Sequence, residues 1–252
     1  MRNIRVKVAY DGSEFCGWQV QPDQPTIQGT LESVLAGIEG QPVAVAGSGR
    51  TDAGVHALGQ VATFPLANPI PVENLQKAMN RLLPDAIRIV EVAEAAAGFH
   101  ARYSATSKLY EYRIWREEIC PPALSRYVYP HPYPLDEAAM RQAAPEFEGT
   151  HDFRSLAAGN AEGKESTIRT IFSSTLERQG SLLVYRVRGS GFLHHMVRNI
   201  VGVLLEVGRG VRAPGGVAAI LASRERSAAG STAPARGLFL VEVDYAEERV
   251  PE

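Results

Sequence analysis

The stretch QVATFPLANPIPVENLQKAMNRLLPDAIRIVEVAE, residues 60–94, changes its hydrophobic period twice. Residues 60–66 are a short apolar run typical of a β-strand. Apolar side chains then recur every three or four residues and predict a helix, at Val72, Leu75, Met79 and Leu82. Pro84 ends this helix, and AIRIVEVAE (86–94) predicts a second strand. The stretch is therefore a strand–helix–strand unit.

The residues before this stretch supply the other half of a β-α-β-β-α-β pattern. IRVKVAY (4–10) alternates between apolar and polar residues, which predicts a strand. An apolar face over residues 27–38 predicts a helix that ends at Gly40. PVAVAG (42–47) predicts another short strand, so the first half of the chain contains the whole pattern.

The second half of the chain repeats the pattern. Strands are predicted at 108–115, 167–178, 181–189 and 238–245, and helices at 135–147 and 192–208. Two tandem patterns predict an α+β fold of two ferredoxin-like halves with antiparallel sheets, residues 1–100 and residues 101–252. Three long connections are candidates for substrate-facing loops or short extra helices: 117–134, 149–166 and 209–236.

Composition excludes several classes of protein. The chain has 252 residues, 45% hydrophobic and 21% charged, and a net charge of −2, which is typical of a globular protein. It contains no apolar run long enough for a membrane span, and we expect a soluble, cytoplasmic protein. Its two cysteines form no C-x-x-C pattern, and the adjacent His194 and His195 would diverge by about 100° on a helix. We therefore predict no metal.

A glycine-rich loop, AGSGRTDAGVHALGQ (46–60), contains a single carboxylate, Asp52. The third glycine of a G-x-G-x-x-G dinucleotide motif is replaced by this acid, and the loop leads into a strand, so a dinucleotide site is excluded. The residue order of aspartic proteases is also absent. Asp52 is then either a turn-forming residue or a catalytic one, and these alternatives are about equally supported by the loop alone. Arg50 could bind a phosphate or the carboxylate itself.

Two further segments carry candidate functional residues. The window FHARYSATSKLYEYRIWR (99–116) interleaves cations with five aromatic rings, a mixture that suits unpaired nucleic acid but also suits a strand with core aromatics. In the predicted helix 192–208, Arg198 falls at the rim of the apolar face, where a carboxylate or phosphate partner or a snorkelling side chain is expected. Gly202, one turn later, leaves room for a close neighbour.

Seven stretches together resemble the tRNA pseudouridine synthase A family, in family order and over nearly the whole chain. GRTDAGVHA is a specific signature by itself. The matching stretches are YDGSEFCGWQVQ (10–21), TIQGTLE (26–32), GSGRTDAGVHALGQV (47–61), FHARYSATSKLYEYRI (99–114), HDFRSL (151–156), GFLHHMVRNIVGVLLEVG (191–208) and GLFLVEVDY (237–245).

The resemblance implies the pseudouridine synthase fold and conversion of uridine to pseudouridine at positions 38, 39 and 40 of the tRNA anticodon stem-loop. It also implies a homodimer with RNA across both subunits, and neither cofactor nor catalytic metal. Asp52 is implied to be catalytic, Tyr110 to stack on the target base and help remove its C5 proton, and Arg198 to pair with Asp52. The residues expected to bind substrate are Tyr110, Arg50, His56 and Lys108.

Two other functions compete with this interpretation. A non-catalytic tRNA-binding protein or RNA chaperone could use the same basic and aromatic surface. A glycoside-type hydrolase could use Asp52 as its nucleophile, but the sequence offers no evident acid partner for it.

Overall fold

The computed structural model describes residues 1–158 and 166–246, and the chain divides into two compact units. The first unit is Met1–Thr106 together with Phe239–Glu252, and the second is Ser107–Leu238. The sequence pattern assigned the last strand to the second half, whereas the structure groups nearly all of that strand with the first unit.

The strands and helices are numbered here in chain order. The strands are β1 (Arg2–Tyr10), β2 (Ala46–Gly47), β3 (His56–Leu66), β4 (Ile87–Ala95), β5 (Ala105–Trp115), β6 (Tyr129–Pro130), β7 (Gly149–Asp152), β8 (Ile168–Gln179), β9 (Leu182–Gly189) and β10 (Leu238–Tyr245). The helices are α1 (Ile27–Glu39), α2 (Val72–Leu82), α3 (Glu137–Ala143), α4 (Met196–Gly208) and α5 (Val217–Ser223).

Strand β1 is the centre of the first unit. It pairs antiparallel with β3 on one side and with β4 on the other, and its alternate side chains, Ile4, Val6, Val8 and Tyr10, are at most 4% exposed. Strand β2 pairs antiparallel with β3, while β10 pairs with β3 in parallel at His56 and Ala57. The order β4-β1-β3-β2 is the arrangement expected of a ferredoxin-like half.

The two predicted helices of the first unit are confirmed. Helix α1 begins after Thr26, whose side chain accepts a hydrogen bond from the Gly29 N–H, and it ends at Gly40, which has a left-handed φ of 79°. It buries Ile27, Leu31 and Leu35. Helix α2 ends just before Pro84, which cannot continue a helix, and buries Leu75 and Met79.

The second unit contains an antiparallel sheet in the order β5-β9-β8-β7, with β6 parallel to β5. Tyr112 of β5 lies opposite Tyr185 of β9, and both are 0% exposed. Helix α4 is buried over almost its whole length. Both units therefore combine helices with mainly antiparallel sheets, which confirms the predicted α+β class.

The predicted helix over 192–208 was wrong at its beginning, because α4 starts at Met196. His195 has a φ of 61°, a left-handed conformation that a right-handed helix cannot include. The adjacent rings of His194 and His195 are 3.9 Å apart rather than diverging on a helix. The divergence of these two side chains on a helix was one reason for predicting no metal, and that reason does not hold.

Two other elements are shorter than the sequence pattern predicts. Only Ala46 and Gly47 of the predicted strand 42–47 pair with a neighbour, although Val43 and Val45 are buried. The predicted helix 135–147 is α helix only over Glu137–Ala143, and Ala144–Phe147 continue as a 3-10 turn. Pro145, which lacks an amide hydrogen, lies in that turn.

The three long connections contain short elements. Strand β6 lies within 117–134, β7 within 149–166 and α5 within 209–236, so the last connection does hold the short extra helix that was considered. Residues 159–165 of the second connection lie outside the described residues. In the part of the chain that the structure describes, no helix is both long and apolar enough to cross a membrane.

Candidate active site

The 47–55 loop, which runs from the last residue of β2 to the start of β3, is tied to its surroundings by main-chain hydrogen bonds. The Ser48 N–H donates to the Val61 carbonyl oxygen at 2.8 Å, and the Trp18 N–H donates to the Thr51 carbonyl oxygen at 3.0 Å. These two bonds fix the loop on the side that precedes the candidate carboxylate.

A buried glutamine supports the first part of this loop through side-chain hydrogen bonds. Gln60 is 0% exposed, and its Oε1 accepts hydrogen bonds from the Ser48 hydroxyl at 2.5 Å and from the Val61 N–H at 3.1 Å. Its Nε2 donates to the Gly49 carbonyl oxygen at 3.0 Å. Each polar atom of the amide thus has a partner, as a buried side chain requires.

A buried tyrosine supports the residue immediately before the candidate carboxylate. The Tyr10 hydroxyl is 2.8 Å from the Thr51 hydroxyl, and Tyr10 is only 4% exposed. Burial raises the pKa of Tyr10 to about 12, against a smaller lowering effect of the hydrogen bonds. The phenol is therefore neutral at physiological pH and serves as a fixed hydrogen-bonding support.

Two glycines of the motif YDGSEFCGW (10–18) allow that segment to lie directly on the loop. A Cβ atom at Gly12 would be 2.0 Å from the Val55 carbonyl oxygen. A Cβ at Gly17, which has a φ of 91°, would be 2.7 Å from the Thr51 carbonyl oxygen. Since real Cβ contacts are longer than this, only glycine fits at either position without a shift of the main chain.

Asp52 is half-buried on this supported turn. The turn that follows it is closed by the main chain, because the Val55 N–H donates to the Asp52 carbonyl oxygen at 3.1 Å. Gly54, between them, has a φ of 75°. The closing hydrogen bond of this turn is therefore made by the main chain and not by the carboxylate.

Arg50 and His56 flank Asp52 and differ in exposure. Arg50 is exposed, and its Nε donates to the Gln19 Oε1 at 3.1 Å, which orients the side chain at the surface. His56 is only 1% exposed, and its ring stacks on Phe239 with centroids 4.7 Å apart. Burial of His56 favours a role in positioning the loop over direct contact with substrate.

In the second unit, Lys108 and Tyr110 lie two residues apart on β5 and so point to the same face of the strand. Tyr110 is 7% exposed, and its ring meets Phe192 edge-on, with centroids 5.0 Å apart at 78°. Lys108 is half-buried opposite Gly189. The ring of Tyr110 is therefore buried and packed against Phe192.

Arg198 lies in the first turn of α4 and is half-buried, as expected at the rim of an apolar face. Its Nε donates to the Ala233 carbonyl oxygen at 2.8 Å, and the Ala233 N–H donates to the Arg198 carbonyl oxygen at 3.1 Å. The predicted room beside Gly202 is also occupied, because a Cβ there would be 1.8 Å from the Ser231 carbonyl oxygen.

The basic and aromatic window 99–116 divides into a buried part and an exposed part. Tyr112 is a core residue, as the alternative interpretation of this window predicts. Tyr103 is 79% exposed, with the Arg102 guanidinium 5.9 Å from its ring centroid and the His100 ring 4.5 Å away. This cluster of three side chains suits an unpaired base.

The loop that carries Asp52 and the helix that carries Arg198 both lie in segments that match a known protein family. The chain matches the family described as tRNA pseudouridine synthase over residues 7–104 and 143–246, which include Asp52 and Arg198. The chain belongs to the tRNA pseudouridine synthase family. Family membership makes it an isomerase with the pseudouridine synthase fold.

Curated relatives of this family are similar over almost their full length. The tRNA pseudouridine synthase A of Solibacter usitatus is 60% identical over 97% of this chain and 100% of the relative. The protein of the same name from Halalkalibacterium halodurans is 48% identical over 95% of this chain and 91% of the relative. That of Anoxybacillus flavithermus is 46% identical, covering 97% and 99%.

Sequence reasoning missed the polar side chains that support this family member's loop. Tyr10 and Gln60 lie near the ends of two stretches that match the family. No sequence pattern around either residue indicates which group it hydrogen-bonds. Asn199, next to Arg198, was missed as well, although a polar residue on a largely apolar helix was a signal that could have drawn attention.

The support of the loop by Tyr10 gives a testable prediction. Tyr10→Phe should lower the free energy of unfolding by about 0.5–1.5 kcal/mol, because the buried Thr51 hydroxyl loses that hydrogen-bond partner. Urea unfolding measures this change. Tyr103→Phe is the matched control, since Tyr103 is exposed, and should change stability by less than about 0.5 kcal/mol. Equal stability of the two variants would contradict a supporting role for the Tyr10 hydroxyl.

Proposed function

We propose that this synthase converts uridine to pseudouridine at positions 38, 39 and 40 of the tRNA anticodon stem-loop, with Asp52 as its catalytic carboxylate. The observation that carries the proposal is the loop 47–55, in which Asp52 sits on a turn held by buried polar side chains and by closely packed glycines. Enzymes hold a reactive group rigidly because small misplacements are costly to rate. The names of the relatives supply the tRNA substrate.

The reaction defines what the residues must do. The N1–C1′ glycosidic bond breaks, the uracil turns, and a bond forms between C5 and C1′, while C5 loses a proton and N1 gains one. The change is an isomerisation without net oxidation. Asp52 would act as a nucleophile at C1′ or C6, or as a base at the ribose 2′ position. Glycines beside it would let the sugar and base approach the carboxylate closely.

Tyr110 and Arg198 have complementary roles in this proposal. The Tyr110 ring stacks on the extruded uracil and its hydroxyl helps to remove the C5 proton, and the edge-on contact with Phe192 supports a fixed ring orientation. Arg198 forms an ion pair with the carboxylate and holds it in place. Its bond to the Ala233 carbonyl supports this role, because a guanidinium that is already oriented loses less conformational freedom on pairing.

Contacts with the rest of the RNA come from cations and aromatic rings that are exposed or half-buried. Arg50 and Lys108 bind phosphates, and the cluster of His100, Arg102 and Tyr103 stacks on an unpaired nucleotide. We assign His56 to positioning of the loop, because of its burial. The functional unit is a homodimer with RNA across both subunits, which sedimentation with and without tRNA would test.

The substrate positions can be tested with transcripts labelled with tritium at uridine C5. A tRNA that carries uridine at only one of positions 38, 39 and 40, with cytidine at the other two, should release tritium stoichiometrically with that uridine. A transcript with cytidine at all three positions should release none. Release that is independent of these positions would overturn the assignment. Binding without release would indicate a chaperone, and free uracil among the products would indicate a hydrolase.

A further inference from the structure

Asn199 is a buried amide at the beginning of α4, one residue after Arg198. It is 0% exposed, and burial of an amide is unfavourable unless its polar atoms are hydrogen-bonded. Its Nδ2 donates to the Leu156 carbonyl oxygen at 2.7 Å. Its Oδ1 accepts hydrogen bonds from the Thr232 hydroxyl at 2.6 Å and from Arg226 Nη2 at 2.9 Å. The amide thus joins the helix to two separate segments of the second unit.

Arg226 completes the connection to the segment 230–233. Its Nη2 also donates to the Thr232 hydroxyl oxygen at 2.8 Å, and its Nη1 donates to the Gly230 carbonyl oxygen at 2.7 Å. Asn199, Arg226 and Thr232 therefore form a closed triangle of hydrogen bonds. Such a network holds its members in one arrangement more firmly than separate bonds do.

The same segment then reaches Arg198. Ala233 follows Thr232 directly, and its carbonyl oxygen receives the Arg198 Nε hydrogen bond. One helical turn further on, Ser231 lies so close to Gly202 that the helix could not carry a side chain at that position. The position of the Arg198 side chain is thus coupled to the segment, and Thr232 supplies one of the contacts that hold the segment.

We infer that Asn199 and Thr232 are positioning residues that hold the Arg198 guanidinium in place through the Ala233 carbonyl oxygen. The inference rests on the catalytic role proposed for Arg198. Loss of the Thr232 hydroxyl removes one restraint on the main chain next to Ala233, so that Arg198 is held less precisely. The effect falls on the chemical step rather than on tRNA binding, because neither residue needs to contact RNA.

Thr232→Val tests this inference, because it removes the hydroxyl and keeps the shape of the side chain. We expect kcat to fall about 10-fold, with KM for tRNA changed less than about twofold. Thr232→Ser restores the hydroxyl and should restore kcat. Thr175→Val is the matched control: Thr175 is exposed on β8, and its replacement should leave kcat unchanged. If the valine variant unfolds, Thr232→Ala removes the same hydroxyl with a smaller side chain.

A double-mutant cycle separates this inference from the proposed function. Thr232→Val should lower kcat no further once Arg198→Ala has been introduced, because the two changes act on one group. Additive losses, or an undiminished kcat of Thr232→Val while Arg198→Ala is slow, would overturn the positioning role alone. Full activity of Arg198→Ala would overturn the role of Arg198 itself.

Discussion

Asp52→Asn is expected to give a folded protein that binds tRNA and forms no detectable pseudouridine. The substitution keeps the size of the side chain and removes the charged oxygen that would act as nucleophile or base. Because the 47–55 loop is supported by Tyr10, Gln60 and two glycines, the variant should keep the loop conformation. The loss of kcat should be about 10⁴-fold or more, as in other enzymes that lose a principal catalytic group.

Tritium release from tRNA labelled at uridine C5 measures this loss, while filter binding and circular dichroism report tRNA affinity and folding. Asp23→Asn is the matched control. Asp23 is exposed in the same unit and has a φ of 55°, a conformation that asparagine adopts readily, so the control should retain full activity. Turnover by Asp52→Asn at the rate of the control would exclude a catalytic role for this carboxylate.

Apolar periodicity predicted the helices and long strands well, because it reflects which side chains are buried. The alternation of β1 matches the buried residues of the structure, and so do Leu75 and Met79 of α2. Leu82, predicted on the same face of α2, is instead 58% exposed. Apolar periodicity failed where side chains are buried but the main chain is not paired with a neighbouring strand. Val43 and Val45 are buried, but the main chain around them does not join the sheet ladder, so PVAVAG is a strand only at its end.

Backbone conformation was the second source of error. Phe192 and Leu193 continue the apolar character of α4, so the apolar pattern does not show that the helix begins only at Met196. The left-handed φ of His195 decides the boundary, and a histidine in that region is uncommon. Such a conformation is imposed by tertiary contacts, which a local pattern does not contain.

The candidate site also has features that the sequence predicts and features that depend on tertiary packing. The loop around Asp52 could be singled out from its glycines and its lone carboxylate, and the resemblance assigned the residues on it. The hydrogen bond between the Tyr10 and Thr51 hydroxyls joins residues far apart in the chain, and so does the triangle of Asn199, Arg226 and Thr232. Their partners follow from how the strands and loops pack, so only the three-dimensional structure reveals them.

Gly12→Ala is expected to cause the second large effect, on both stability and turnover. The added Cβ would lie 2.0 Å from the Val55 carbonyl oxygen, a main-chain atom that cannot turn away as a flexible side chain can. Forcing an extra carbon into such a contact lowers the free energy of unfolding by about 1–3 kcal/mol. Because Val55 closes the turn at Asp52, the same shift should displace the carboxylate and lower kcat.

Gly37→Ala provides the matched comparison for this prediction, since the same methyl group is added in the same unit. Gly37 lies inside α1, and a Cβ there would have no neighbour within 4 Å. Alanine should therefore stabilise the helix by about 0.5–1 kcal/mol and leave turnover unchanged. Urea unfolding and tritium release measure both variants. If Gly12→Ala proved as stable and as active as Gly37→Ala, the close packing of residues 10–18 on the 47–55 loop could not be what fixes Asp52.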